Sequence, residues 1–175
     1  ISRSTVRQAT NKLVYERLLV RKKGVGTKVA KNNITTKLNK WTSFTHEMDE
    51  KGMVFKNYSI KVSMVTPDKE IQQLFNIRDG VKVLRMERLK GPDSGPVVHF
   101  ISYFHPRTEL TVDDDFSKPL YETLEKDHHI VATVSKEGIS AILADAKLSK
   151  LLHIKVGDPI LFRKRVVCDA GDRPI

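Results

Sequence analysis

Two stretches of equal length, DKEIQQLFNIRDGVKVLRMER at residues 68–88 and DAKLSKLLHIKVGDPILFRKR at residues 145–165, align without a gap. The alignment pairs Ile71 with Leu148, Leu74 with Leu151, Ile77 with Ile154, Gly80 with Gly157, Leu84 with Leu161 and Arg88 with Arg165. Each stretch reads as a helix, a glycine turn and a strand. Period-two alternation precedes each copy, in Tyr58–Thr66 and Val134–Leu143, and a turn follows each, at Pro92–Gly95 and Ala170–Asp172. After the first turn, PVVHFISYFHP reads as a further strand. The second copy reaches Ile175 before its counterpart strand, so the chain is expected to run on. Matching apolar positions, glycine and arginine favour duplication over chance similarity. Two βαββ units predict a largely antiparallel sheet with helices packed on it, an α+β domain.

Working outward, this domain is expected to span residues 41–175, starting near Trp41. There TSFTHEMDEKGM reads as a short capped helix from about Ser43, stopped by Gly52. Upstream, residues 32–40 hold few apolar side chains and read as a linker.

Residues 1–31 form a separate unit. They carry nine Lys and Arg against one Glu, whereas the rest of the chain carries 22 against 20, so +8 of the +10 net charge is local. Ser2 is a good helix N-cap, followed by Val6, Ala9 and Leu13 on one face. Arg3, Ser4, Arg7, Gln8 and Asn11 fall on the opposite arc, where they can meet phosphates and base edges. Leu19–Lys23 and Thr27–Ala30 then read as two strands around Gly24 and Gly26, a hairpin bearing Arg21, Lys22, Lys23 and Lys28. A solvated basic face is the commoner fate of such a charge run. Here helix followed by basic hairpin matches a recognition helix and wing. GVGTK lacks the spacing of a P-loop.

The stretch SRSTVRQATNKLVYERLLVRKKGVGTKV resembles the GntR family signature, S-R-x-T-V-R-x-A-x-x-x-L followed by a glycine-rich wing. The resemblance implies a bacterial transcription regulator whose first two helices precede this point, so that residues 1–31 are the later part of a winged helix-turn-helix. It carries contacts with double-stranded operator DNA to Ser2, Arg3, Thr5 and Arg7 on the helix, and to Lys23, Gly24 and Gly26 at the wing. Arg17 stands where the family usually has Gly, and Val25 and Lys28 replace the Arg and Phe of its G-R-G-T-F-V wing.

Residues 41–175 resemble the UTRA effector-binding domain of HutC-type GntR regulators, whose fold is like that of chorismate lyase. WTSFTHEMDEKGM, the V-L-R-M-E-R-L strand, SYFHP, PLYETLE and the P-I-L-F-R-K-R strand with its D-R-P-I turn carry the likeness. In that family a phosphorylated sugar or other small anionic metabolite occupies a pocket. Strand alternation places Leu84, Met86 and Arg88 on one face, leaving Arg88 the charge on an apolar surface. Its counter-anion is an internal carboxylate or a ligand, unless Arg88 lies at an exposed strand end. The resemblance favours a ligand, and carries effector contacts to Ser43, Phe44, Arg88 and Tyr121. Met86 and Phe100 stand where amino-sugar-phosphate sensors have Arg and Glu, which argues against an amino-sugar ligand.

Together these readings predict a ligand-responsive repressor, a cytoplasmic homodimer on DNA. At 175 residues, 39% hydrophobic and 30% charged, the chain can bury a core, and it contains no apolar run long enough to span a membrane. One cysteine, Cys168, allows no internal disulfide, and no Cys/His spacing suggests a metal. No cofactor is expected. The competing class is a small-molecule enzyme of chorismate-lyase-like fold, but His46, His99, His105, His128, His129 and His153 show no catalytic spacing, and fold does not carry chemistry. RNA binding is disfavoured because Tyr15 is the one aromatic residue in the basic stretch.

Overall fold

The computed structural model describes residues 2–15, 18–22, 24, 26–29, 33–37, 48 and 52–175. In chain order the elements are α1 (Arg3–Tyr15), β1 (Leu19–Lys22), β2 (Gly26–Val29), β3 (Asn33–Lys37), β4 (Lys56–Val65), α2 (Lys69–Phe75), β5 (Val83–Gly91) and β6 (Val98–Phe104). There follow a 3₁₀ turn (Pro106–Thr108), α3 (Leu120–Lys126), β7 (Ala132–Leu143), α4 (Ala146–Leu152) and β8 (Pro159–Asp169). Strands β1 and β2 form the expected hairpin.

The duplication is visible in detail. Helices α2 and α4 occupy equivalent positions in the two aligned stretches. In each, an aspartate opens the helix by accepting an otherwise unpaired N–H: Ile71 donates to Asp68 Oδ1 at 2.9 Å, and Leu148 donates to Asp145 Oδ1 at 2.7 Å. Each ends on a left-handed residue, Asn76 with φ 51° and His153 with φ 56°. Gly80 and Gly157 then take φ of 81° and 88°, which only glycine adopts without strain.

Instead of one sheet, the copies build two antiparallel three-stranded sheets, β4-β5-β6 and β3-β7-β8. Part of the stretch read as a linker is strand β3, paired with β7 from Asn33↔Gly138 to Lys37↔Val134. The helix expected from about Ser43 lies outside the described residues, apart from helical Met48, whose carbonyl accepts from Met53 N just past Gly52. Beyond β8 the chain turns back, with a single bridge between Cys168 and Pro174.

The two copies share one core. Leu84, Met86 and Phe104 come from the first, Ala132 and Ile175 from the second, and Leu110, Phe116 and Leu124 from the connection between them. Ile60, Val62, Tyr121 and Val167 pack around these. The copies also grip each other reciprocally. Glu70 on α2 pairs with Lys164 on β8, and Lys147 on α4 approaches Glu87 on β5 at 3.7 Å. Glu70 is the counterpart of Lys147, and Glu87 of Lys164, so each helix reaches the other copy's strand, as an approximate two-fold relation requires.

The matched caps generate a stability prediction. Asp68→Ala and Asp145→Ala should each lower unfolding free energy by about 0.5–2 kcal/mol, with the two losses adding in the double variant. Urea unfolding checks both.

Candidate functional site

Arg88 lies at the centre of β5, between Ile60 on β4 and Phe100 on β6. It shares a face with Leu84 and Met86, which are 2% and 0% exposed, and is itself half-buried. Its Cζ sits 5.9 Å from the centre of the Phe100 ring. Its Nε is shut away from solvent with no hydrogen-bond partner, and among the described residues no carboxylate acts on the guanidinium. Burial pushes its pKa below the ordinary arginine value, while the nearby Tyr121 hydroxyl acts the other way. An arginine does not shed its proton under such pressure, so the site holds a partly desolvated positive charge.

The duplicate position shows what a satisfied version looks like. Arg165, opposite Glu137 across the β7–β8 ladder, donates from Nε to Glu137 Oε1 at 3.1 Å. Arg163 adds a two-pronged contact to the same carboxylate, 3.0 Å at each oxygen. Burial pushes Glu137 upward, but the hydrogen bonds and charges of Arg163 and Arg165 outweigh it and hold the carboxyl below its ordinary value. In the first copy the position of Glu137 is taken by Ile60, which can accept nothing. Tyr121 on α3 joins the two halves: its hydroxyl is within hydrogen-bond reach of Arg165 and close enough to Arg88 to feel its charge. The site thus unites Arg88, Phe100 and Tyr121, and Ser43 and Phe44 lie outside the described residues.

The polar clusters around Glu87 and Arg107 are internally satisfied, whereas Thr123 Oγ1 and His128 Nε2 are, like Arg88 Nε, buried without a hydrogen bond. On the opposite face of β5, Glu87 accepts from His99 Nε2 at 2.7 Å and from Arg85 at 2.9 Å. Burial raises Glu87, but His99, Arg85 and Lys147 together hold it at about 2. Two shallow recesses flank Arg107. Its guanidinium is taken up by the carbonyls of Arg173 and Pro174, at 2.9 and 2.7 Å, and by Asp169 at 3.1 Å. Neither recess therefore offers the free charge found at Arg88. His105 Nδ1 accepts from Arg107 N–H, so its Nε2 carries the proton facing the Phe75 carbonyl. Among the described residues no three His, Cys, Asp or Glu side chains gather as a metal site would need.

At the other end, α1 begins at Ser2, whose Oγ accepts from Thr5 N–H at 3.1 Å. The Ser2 and Thr5 hydroxyls also bond to each other at 3.0 Å. Arg3 and Arg7 are exposed on a helix with no acidic residue in its first turn. Gly24 and Gly26 take φ of 80° and 97° at the hairpin tip. Lys23 lies outside the described residues. Asn11, on the same arc as Arg3 and Arg7, accepts from Arg21 NH1 at 2.9 Å and so joins helix to hairpin.

The family model for the UTRA domain matches residues 50–175. The HTH-type transcriptional repressor NagR of Bacillus subtilis (strain 168) is 29% identical over 167 residues, covering 94% of this chain and 68% of the relative. The mannosyl-D-glycerate transport/metabolism system repressor MngR of Escherichia coli (strain K12) is 24% identical, covering 92% and 68%. The crystal structure of PhnF from Mycobacterium smegmatis superposes with a TM-score of 0.68 at 24% identity, over 100% of this chain and 77% of that one. That last likeness speaks to fold.

Removing the shared carboxylate tests the satisfied half of the site. Glu137→Ala should cost about 1–3 kcal/mol at neutral pH, because it removes the carboxylate that Arg163 and Arg165 share. A carboxyl held below its ordinary value stabilises the fold above that value, 4.5, and the contribution is lost as pH falls through the lowered one. The gap between wild type and variant in chemical unfolding should therefore narrow in acid.

Proposed function

Since the chain belongs to the UTRA domain family, we propose that it is a ligand-responsive, DNA-binding transcriptional regulator, a cytoplasmic homodimeric repressor released from its operator by a small anionic metabolite such as a phosphorylated sugar. Ser2, Arg3, Thr5 and Arg7 of α1 contact operator DNA with Lys23, Gly24 and Gly26 of the wing. Arg88 and Tyr121, with Ser43 and Phe44, receive the effector. Relatives named as repressors support this reading, and the enzyme alternative rests on fold likeness alone.

The observation that carries the ligand half is the uncompensated charge of Arg88 beside its compensated duplicate, Arg165. A planar guanidinium on an apolar, aromatic-lined face is suited to a two-pronged contact with phosphate or carboxylate. Operator release follows if the anion binds the DNA-free arrangement more tightly, with a coupling of about 1–3 kcal/mol.

The test is release of fluorescent operator DNA titrated with phosphorylated sugars, phosphonates and carboxylates. Arg88→Met should abolish release and leave DNA affinity intact, and Arg88→Lys should restore it only in part. Ile60→Glu, which gives Arg88 the carboxylate that Arg165 already has, should also silence the response. Release at the wild-type effector concentration in folded Arg88→Met would make Arg88 structural. In the same assay Arg7→Ala should weaken DNA binding by about 1–3 kcal/mol, with relaxed discrimination at one base.

A further inference from the structure

Arg21 belongs to the basic run that marks the DNA-binding unit, yet its guanidinium is turned onto the protein. NH1 donates to Asn11 Oδ1 on α1 at 2.9 Å, and Nε makes a longer contact, 3.5 Å, with Thr27 Oγ1 directly across the hairpin. Among the described residues, the Arg21–Asn11 bond is the one side-chain hydrogen bond between α1 and the hairpin. A backbone bond also ties the two, with Leu18 N donating to the Leu13 carbonyl at 2.9 Å. A two-stranded hairpin is at best marginally stable by itself.

We infer that Arg21 is a positioning residue, a strut that fixes the hairpin against α1 and so sets the spacing between helix and wing contacts on DNA. This rests on the reading of α1 and the hairpin as the DNA-binding surface. Asn11 is one helical turn from Arg7, so the strut is anchored on the arc that would face the major groove. The planar fork of Arg21 allows it to meet Asn11 and Thr27 together. A lysine keeps the charge but offers no such pair of fixed directions.

The experiment uses the full chain and a duplex selected by the wild-type protein from a randomised pool, with affinity followed by anisotropy across a salt series. Arg21→Met, Arg21→Lys and Asn11→Ala should each weaken binding about 2- to 10-fold, and the double variant Arg21→Met/Asn11→Ala no further, since the residues act as one unit. The slope of affinity against salt should be unchanged. If Arg21 instead contacts a phosphate, Arg21→Lys retains wild-type affinity while Arg21→Met lowers the slope by about one. That result, or losses that simply multiply in the double variant, overturns the inference. Loss in Arg7→Ala with none in the Arg21 and Asn11 variants also overturns it, but leaves the DNA-binding reading standing. A wild-type chain that selects no duplex removes both. Thermal unfolding of each variant separates a lost fold from a lost strut.

Discussion

Neither three-stranded sheet can stand in water alone with an apolar face uncovered, and burying both faces in one core is the constraint on which the UTRA domain depends. The buried residues are drawn from both copies and from the chain between them: Met86 and Phe104 on one side, Ala132 and Ile175 on the other, Leu124 in the middle. A two-fold arrangement achieves this closure because what one copy offers, the other receives. The caps, left-handed helix ends and glycine turns repeat for the same reason, since each copy solves the same local problem at the same place.

The proposed function depends on where the repetition is broken. Strand pairing gives Arg165 a carboxylate at Glu137, whereas the same pairing gives Arg88 the side chain of Ile60. The desolvation cost of a half-buried guanidinium is met by Glu137 in one copy, and in the other by no carboxylate among the described residues. Tyr121, from the connection, feels the charge of both arginines. One scaffold thereby holds an arginine paired with a carboxylate and, at the equivalent place, one that is not.

Much of this was legible in the sequence because it rests on local chemistry. Helical spacing, Gly80 with Gly157, and strand alternation around Arg88 all depend on near neighbours along the chain. What escaped depends on partners distant in sequence. Residues 33–37 carry too little apolar character to announce a strand, and their place on β7 is secured by backbone pairing that composition does not record. The same limit hid the Glu137–Arg165 pair, although counting 77 residues back to Ile60 would have exposed the asymmetry. Asn11 read as a free polar residue on the helix because its partner, Arg21, lies on another element.

The exchanged charges between the copies have a consequence for assembly errors. Were a first copy to embrace another first copy, Glu70 would face Glu87. A second copy meeting another second copy would set Lys147 against Lys164. Only the mixed pairing places opposite charges at both contacts. Duplication starts from a self-complementary surface, which invites promiscuous exchange between molecules. Opposite charges at equivalent positions turn that surface into a matched lock and key within a single chain.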